Sequence, residues 1–293
     1  IMSPPISSSR PPFYRHVIRY RSIILGVIWL AMLAGSPAAF AQTGMNRMGS
    51  ARDIALGHAS TADPYSTGLH INPAASATTE KATATFFARQ PFGLAELRHA
   101  SVSASIPTRW VTFQSGTGTF GFDEYRETFA TVAFSRAVPV GTSLPVYVGI
   151  RANAHHLSIS EYGSDQALAA DAGVLVTVLP VLTLGAHARN VSGGSIAGSS
   201  LPRSLAVGVH YAAGPHVRVV ADIFKDVAFP WSLRGGVEIR PVDALSLRIG
   251  ATRHPARFSA GVGINLGPIR ADIAGERHPT LGWSPSGGLT LSL

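Results

Sequence analysis

The chain has 293 residues, of which 46% are hydrophobic and 14% are charged, and its formal net charge is +8. It contains no cysteine, so disulfide bonds cannot stabilise it. A soluble domain usually has about a quarter of its residues charged, so this composition favours a membrane protein. The positive charges are scattered and lack the clustered Lys/Arg and stacking aromatics of a nucleic-acid groove, so we expect no nucleic-acid partner.

Residues 1–41 have the pattern of a secretory signal peptide. Four arginines at positions 10–21 precede the apolar run 23–33, and the small-residue site Ala39-Phe40-Ala41 follows. The apolar run is shorter than the roughly 20 residues that a bilayer-spanning helix needs, which argues against an uncleaved anchor. We therefore expect cleavage after Ala41 and export of the remainder.

Residues 81–293 repeat one pattern, in which short segments of alternating apolar and polar residues are separated by turns. The clearest segments are 146–152, 182–188, 205–211, 217–223, 233–239, 245–250, 258–265, 269–276 and 289–293. Weaker ones are 82–89, 97–106, 109–118, 128–137 and 168–178. Alternation with period two is typical of strands with one apolar face. An all-β fold is predicted, a transmembrane antiparallel β-barrel of about 14 strands (12–14), as in outer-membrane proteins of Gram-negative bacteria.

A soluble β-sandwich also alternates, with its apolar face turned inward. Sandwiches expose many charged residues, whereas lysine is nearly absent here and the polar rows are rich in Gly and Ser. The barrel is therefore favoured. Short proline-containing turns alternate with longer connections, which are predicted at 116–127, 157–166, 191–201 and 275–285.

If the apolar face meets lipid, the charged residues of the strands face the lumen. The set comprises Arg218, Asp222, Arg234, Glu238, Arg240, Arg248, Arg270, Asp272 and Glu276. Opposite charges on adjacent strands predict a pairing network that fixes register, and a charged constriction that selects solutes is the alternative. Aromatic residues near strand ends are expected to form interfacial girdles. They are Trp110, Tyr125, Phe129, Phe229, Trp231 and Trp283.

Residues 42–80 carry two motifs that lie before the first strand. Residues 49–57 read G-S-A-R-D-I-A-L-G, which matches an A-R-x-x-A-L-G run preceded by a glycine, and Asn72-Pro73-Ala74 forms an N-P-A motif. Further matches are 171–174, 189–191 and 278–283. With these motifs the chain resembles the PorV/PorQ family of outer-membrane proteins, which is related to the FadL-type fatty-acid transporters. It departs from the pattern at His58, which stands where the family has a second glycine.

The resemblance implies that residues 42–80 form a plug or hatch within the barrel. We expect Arg52, Asn72 and Pro73 to hold this plug, with Arg52 meeting a lumen carboxylate and Ala74 allowing close packing. An asparagine at position 72 can bond the backbone two residues on, and the proline stiffens the chain.

The resemblance implies two functions. PorV-like proteins act as shuttles of the type IX secretion system, with secretion components or secreted proteins as partners. FadL-like proteins transport hydrophobic small molecules. A shuttle should have a filled lumen, whereas a transporter should have an apolar pocket and a lateral gap, for which the strand glycines 235–236 and 261–263 would allow a kink. The secretion role is the first prediction, hydrophobic transport is the alternative, and both require outer-membrane lipid.

Enzymatic activity is not expected. Residues 116–121 fit a G-x-G-x-x-G string, but no helix follows it and no βαβ unit surrounds it. His155 and His156 are consecutive strand residues that face opposite ways, which does not suit a metal site. No G-x-S-x-G elbow is present. The sequence therefore predicts no catalytic residues, no metal and no cofactor.

Overall fold

The structure, a computed structural model, describes residues 49–140 and 144–293, and the predicted signal peptide lies outside these residues. Within them, fourteen antiparallel strands form one closed barrel, which confirms the predicted fold class and strand number. Each alternating segment of the sequence overlaps one of these strands. No helix of the described part is long and apolar enough to cross a bilayer.

The strands follow one another around the barrel in chain order. They are β1 (Thr83–Arg89), β2 (His99–Pro107), β3 (Thr112–Gly121), β4 (Tyr125–Val140), β5 (Leu144–Ile159), β6 (Gly163–Leu179), β7 (Leu182–Arg189), β10 (Ser204–Ala212), β11 (Val217–Asp226), β12 (Ser232–Val242), β13 (Leu245–Arg253), β14 (Arg257–Leu266), β15 (Ile269–His278) and β16 (Gly282–Ser292). Between β7 and β10, the two-residue strands β8 (Ser195–Ile196) and β9 (Ser199–Ser200) form a separate hairpin. Pairing of β1 with β16 closes the barrel.

The barrel has two rims. Thr83 pairs with Ser292 at one of them, called the terminal rim, and the opposite one is called the loop rim. The loop rim carries the longer connections 90–98 and 190–203. The predicted connections 116–127, 157–166 and 275–285 are wrong, because most of their residues belong to strands.

Three strands are much longer than a bilayer requires. Strands β4, β5 and β6 have 16, 16 and 17 residues, whereas about 9–11 tilted residues cross a membrane. The ends of these strands at the loop rim carry weak apolar alternation, because a strand outside lipid needs no apolar outer face. This is why the sequence pattern suggested loops there.

Side chains alternate between a small or polar interior and an apolar exterior. In β13, Ser246 and Arg248 are buried, whereas Leu247 and Ile249 are 42% and 55% exposed. Trp110, Trp231 and Trp283 lie on the exposed surface, but Phe129 is only 1% exposed and packs inside. The prediction that Phe129 belongs to an aromatic girdle is therefore wrong.

The hydrogen-bonded ladders are regular around the barrel. In the described strands, register shifts occur only between Ile239 and Val242 and between Thr177 and Leu179. Both sites lie near the terminal rim. The strand glycines 235–236 and 261–263 lie in unshifted ladders, so no register shift interrupts the strands at these positions.

Candidate functional site

The chain segment 49–80, called the luminal segment below, lies inside the barrel. It begins with the helix α1 (Ala51–Ala55), which Ser50 and Asp53 close with a capping box. The Ser50 amide donates to Asp53 Oδ2 (2.9 Å), and the Asp53 amide donates to Ser50 Oγ (3.2 Å). The apolar residues of α1 pack against the inward side chains Phe87 and Ala274. The helix is therefore anchored where β1 and β15 face the lumen.

A buried charged cluster joins the luminal segment to the wall. Arg52 donates from Nε to Glu238 Oε2 (3.1 Å) and from Nη1 to Asp63 within its own segment. Glu238 also accepts from Arg248 (2.6 Å) and from Arg218 (3.0 Å). All of these side chains except Arg218 are almost fully buried. Burying charge is costly unless it is paired, and here one glutamate serves three guanidinium groups.

The cluster continues toward β15. Arg248 donates to Asp272 Oδ1 (2.7 Å), and Arg270 donates to Asp272 Oδ2 (2.9 Å). Six residues of the predicted lumen set belong to this cluster or to the neighbouring cluster around Glu276. They are Arg218, Glu238, Arg248, Arg270, Asp272 and Glu276.

A second buried cluster surrounds Glu276. This carboxylate accepts from Arg89 Nη2 (2.6 Å) and Arg257 Nη1 (3.2 Å), and it lies 2.5 Å from His58 Nε2. Burial lowers the pKa of His58 from 6.5, whereas the Glu276 carboxylate raises it. The net direction is downward, so His58 is neutral near pH 7.

Sequence reasoning did not assign Arg89, Arg257, His58 or Asp63 to these clusters. Arg89 and Arg257 occupy inward positions of their strands, so the alternation itself contained the signal for them. His58 stands where the family pattern has a glycine, and in the structure this histidine contacts Glu276 of the second cluster.

The remaining predicted lumen charges are not paired with one another. Asp222 accepts from the Thr61 amide (3.0 Å) and hydroxyl (2.7 Å), which ties the luminal segment to β11. The guanidinium carbon of Arg234 lies 3.6 Å from the ring centroid of Phe224. Arg240 lies toward the terminal rim, where it donates to the carbonyl of an exposed turn (3.2 Å).

The N-P-A residues contact the opposite wall. Asn72 Nδ2 donates to the carbonyls of Thr61 (2.7 Å), Val174 (3.1 Å) and Ala186 (3.2 Å). Asn72 Oδ1 accepts from the Ala74 amide (3.0 Å), which is the local turn that asparagine favours. One side chain thus links two parts of the luminal segment to β6 and β7.

Glycines of the wall leave room for the luminal segment. A Cβ atom at Gly149 would lie 2.5 Å from the backbone of Pro73 and Ala74, and one at Gly236 would lie 2.6 Å from Leu56 Cα. The same holds in β6, β7, β13 and β14, at Gly173, Gly185, Gly250 and Gly261. These strand glycines therefore permit close approach of the luminal segment, mostly by its backbone and at Gly173 and Gly261 by side-chain atoms, which is a different role from the predicted kink.

A cavity of about 580 Å³ lies at the loop rim, next to the luminal segment. Its apolar lining includes Phe92, Phe224, Phe229, Pro230 and Leu281. Its polar lining includes His58, Asp226, Arg234, Arg257 and His278. We call this cavity the vestibule. A second cavity, lined by Thr61, Asn72 and His187, has only about 60 Å³, which is room for about two water molecules.

Among the described residues, no group of three or more His, Cys, Asp or Glu side chains is placed to hold a metal ion. The geometry instead combines a filled midsection with an open, partly aromatic vestibule. Such an arrangement can accept a small apolar molecule at the loop rim, because apolar walls with a few polar groups are typical of small-molecule sites.

No family model and no curated protein matches the chain. Solved structures do match. The toluene transporter TbuX of Ralstonia pickettii has a TM-score of 0.60 and 13% identity, with 85% of this chain and 98% of TbuX covered. The monoaromatic hydrocarbon channel CymD has a TM-score of 0.62 and 12% identity, with 86% and 99% covered.

A FadL homologue of Pseudomonas aeruginosa has a TM-score of 0.54 and 11% identity, with 87% of this chain and 98% of the homologue covered. At such identities the likeness concerns the fold alone. The chain therefore has the fold of the FadL-type outer-membrane barrels.

Proposed function

We propose that this protein is an outer-membrane transporter that takes up a hydrophobic small molecule through the vestibule. The observation that carries the proposal is the vestibule itself, an aromatic cavity of about 580 Å³ at the loop rim. The fold likeness to a toluene transporter and a monoaromatic hydrocarbon channel supports the same class of substrate. A signal peptide cleaved after Ala41 would direct the chain across the inner membrane.

The size and lining of the vestibule suit one small apolar molecule. Ligand cavities usually measure about 300–1,000 Å³ and have mostly apolar walls. Here Phe224 and Phe229 supply aromatic faces, and the Arg234 guanidinium on Phe224 already occupies one of them. We infer that an uncharged aromatic or short aliphatic molecule binds between these side chains.

The luminal segment acts in this proposal as the plug. Arg52, Asn72, Pro73 and Ala74 hold it in place, and the paired lumen charges fix it to the wall. The charges pair with one another at 2.6–3.2 Å, which favours the structural network over a solute-selecting constriction. Enzymatic activity forms no part of the proposal.

The type IX secretion role, which the PorV/PorQ resemblance placed first, is not the function that we propose. The filled midsection is the feature expected of a shuttle, and the vestibule is the apolar pocket expected of a transporter. The vestibule and the likeness to hydrocarbon channels favour transport, and no comparable observation favours a secretion partner.

Uptake of radiolabelled toluene by cells that express the chain tests the proposal. Ser232 is a small, buried residue that lines the vestibule, and Ser232→Trp should fill the cavity and abolish the uptake that the wild-type chain confers. Phe224→Ala should lower uptake several-fold by removing an aromatic wall. The control is Phe258→Ala, which removes a phenyl ring that is 51% exposed on the exterior. Equal uptake with and without the wild-type chain would reject transport of this molecule.

A further inference from the structure

A groove crosses the exterior of the barrel just below the loop rim. Its floor consists of the small outward residues Gly287, Ala88, Ala100 and Thr119 on four adjacent strands. The register aligns them, because Ala88 is paired with Gly287 on one side and with Ala100 on the other, and Ala100 is paired with Thr119. The cavity measures about 520 Å³.

Bulky apolar residues bound the groove on the side of the terminal rim. Phe86 is paired with Leu289 and with Val102, and all three are about half exposed. At comparable outward positions on other strands, Leu233 and Phe258 fill the surface.

Basic residues bound the groove on the side of the loop rim. Arg98 and Arg126 both line it and are exposed. The Arg98 backbone is fixed, because its carbonyl accepts from the Gly121 amide (3.0 Å). The Arg126 guanidinium contacts Asp123 (2.6 Å), and such exposed ion pairs are weak enough to yield to another anion. Two cations thus lie above a floor of small residues at the loop rim.

The groove is separate from the vestibule. The ladders from β16 through β1, β2 and β3 are continuous, so a wall of hydrogen-bonded backbone lies between this exterior floor and the lumen. A ligand of the groove therefore reaches it from outside the barrel and not from the lumen.

We propose that this groove binds a phosphorylated, acylated lipid of the outer leaflet. An acyl chain lies on Ala88, Ala100 and Gly287, and the phosphate group contacts Arg98 and Arg126. Arginine suits this role because its guanidinium forms charge-assisted, bidentate hydrogen bonds with phosphate. The inference rests on the outer-membrane location in the proposed function but not on transport.

Native mass spectrometry of the exported protein in detergent tests the inference, with diphosphoryl lipid A as the probe. Arg98→Ala/Arg126→Ala should weaken binding at least tenfold, because two charge-assisted contacts are lost. Gly287→Leu should also weaken binding by filling the floor. A Cβ atom at Gly287 has its nearest neighbour at 3.9 Å, so the barrel tolerates this change. The control is Arg136→Ala, which removes an exposed arginine of β4 nearer the terminal rim.

The inference predicts that lipid A binds the wild-type chain and the control alike, and that phosphatidylethanolamine and inorganic phosphate do not compete. Unchanged lipid A binding in both groove variants would overturn it, as would displacement by inorganic phosphate alone. The toluene uptake of Arg98→Ala/Arg126→Ala separates the two proposals. If this variant takes up toluene as the wild type does but has lost lipid A binding, both proposals are supported. If lipid A binds the proteins as predicted but none of them takes up toluene, the lipid groove is supported and transport is rejected.

Discussion

The two sides of the lumen hold the luminal segment in different ways. On the side of β11–β16, the segment is joined to the wall by the buried Arg52–Glu238 ion pair and by the contact of the neutral His58 imidazole with the Glu276 carboxylate. On the side of β4–β7, the Pro73 and Ala74 backbone lies directly on Gly149, and Asn72 donates to strand carbonyls. One side therefore depends on charge and the other on shape.

This difference determines which substitutions should destabilise each side. A buried ion pair contributes modestly while it is complete, but it becomes strongly destabilising when one partner is removed. A close backbone contact fails when atoms are added rather than removed. Matched substitutions on the two sides can therefore test whether the segment is held as the structure indicates.

The largest effect is expected on the charged side, for Glu238→Ala. This change leaves Arg52, Arg218 and Arg248 without their shared carboxylate, and removal of one partner of a buried pair costs about 3–5 kcal/mol. Urea unfolding in lipid vesicles, followed by tryptophan fluorescence, measures the loss in the free energy of unfolding. Glu96→Ala, at an exposed position, is the control. A loss as small as that of the control would show that this side does not depend on charge.

The next effect is expected on the opposite side, for Gly149→Ala. The added methyl group would lie 2.5 Å from the backbone of the luminal segment, and overpacking of this kind costs about 1–3 kcal/mol. Gly235→Ala is the matched control, since its Cβ has no neighbour closer than 3.5 Å. If the segment is displaced, the ion conductance of the barrel in planar bilayers should also rise. Equal stability and conductance in the two variants would mean that the close contact is not maintained.

The charged side was largely predictable from the sequence, and the other side was not. Alternation fixes which strand residues face inward, and it therefore brought Glu238, Arg248 and Asp272 to one face before any coordinates were known. The same logic applied to Arg89 and Arg257 would have completed the second cluster. The barrel and its strand number followed from this alternation as well.

Close contact between two backbones is harder to predict from a single sequence. A glycine within a strand is compatible with a kink, a bulge or close approach, and Gly236 was predicted to allow a kink although it faces Leu56. The loop-rim ends of β4–β6 were missed for a related reason, since beyond the membrane no apolar outer face marks a strand. Neither the glycine contacts nor the strand ends outside lipid alter the alternation of apolar and polar residues, and this alternation is what periodicity detects.

The smallest effect concerns His70, a buried residue of the luminal segment near β4. Its ring packs edge-on against Phe129 with the centroids 4.6 Å apart, and its Nε2 atom has no hydrogen-bond partner in the described structure. Burial, and then the nearby arginines 189 and 151, lower the pKa of His70 well below 6.5. The folded protein thus keeps this imidazole neutral, whereas the unfolded chain takes up a proton below pH 6.5.

The sign of the pH dependence follows from this difference. The stability that the neutral state of His70 contributes is complete above pH 6.5 and is lost as the pH falls below it, by about 1 kcal/mol between pH 7.0 and pH 5.5.

Asparagine does not titrate and accepts the positive φ of 60° at this position, so His70→Asn should show a correspondingly shallower loss. Urea unfolding at the two pH values gives the difference for each protein, and His216→Gln, in an exposed turn, is the matched control. Because the other histidines are common to wild type and variant, their contributions cancel in the comparison. An identical pH dependence in wild type and His70→Asn would show that water reaches position 70, and hence that the shape-dependent side of the lumen is more open than the structure indicates.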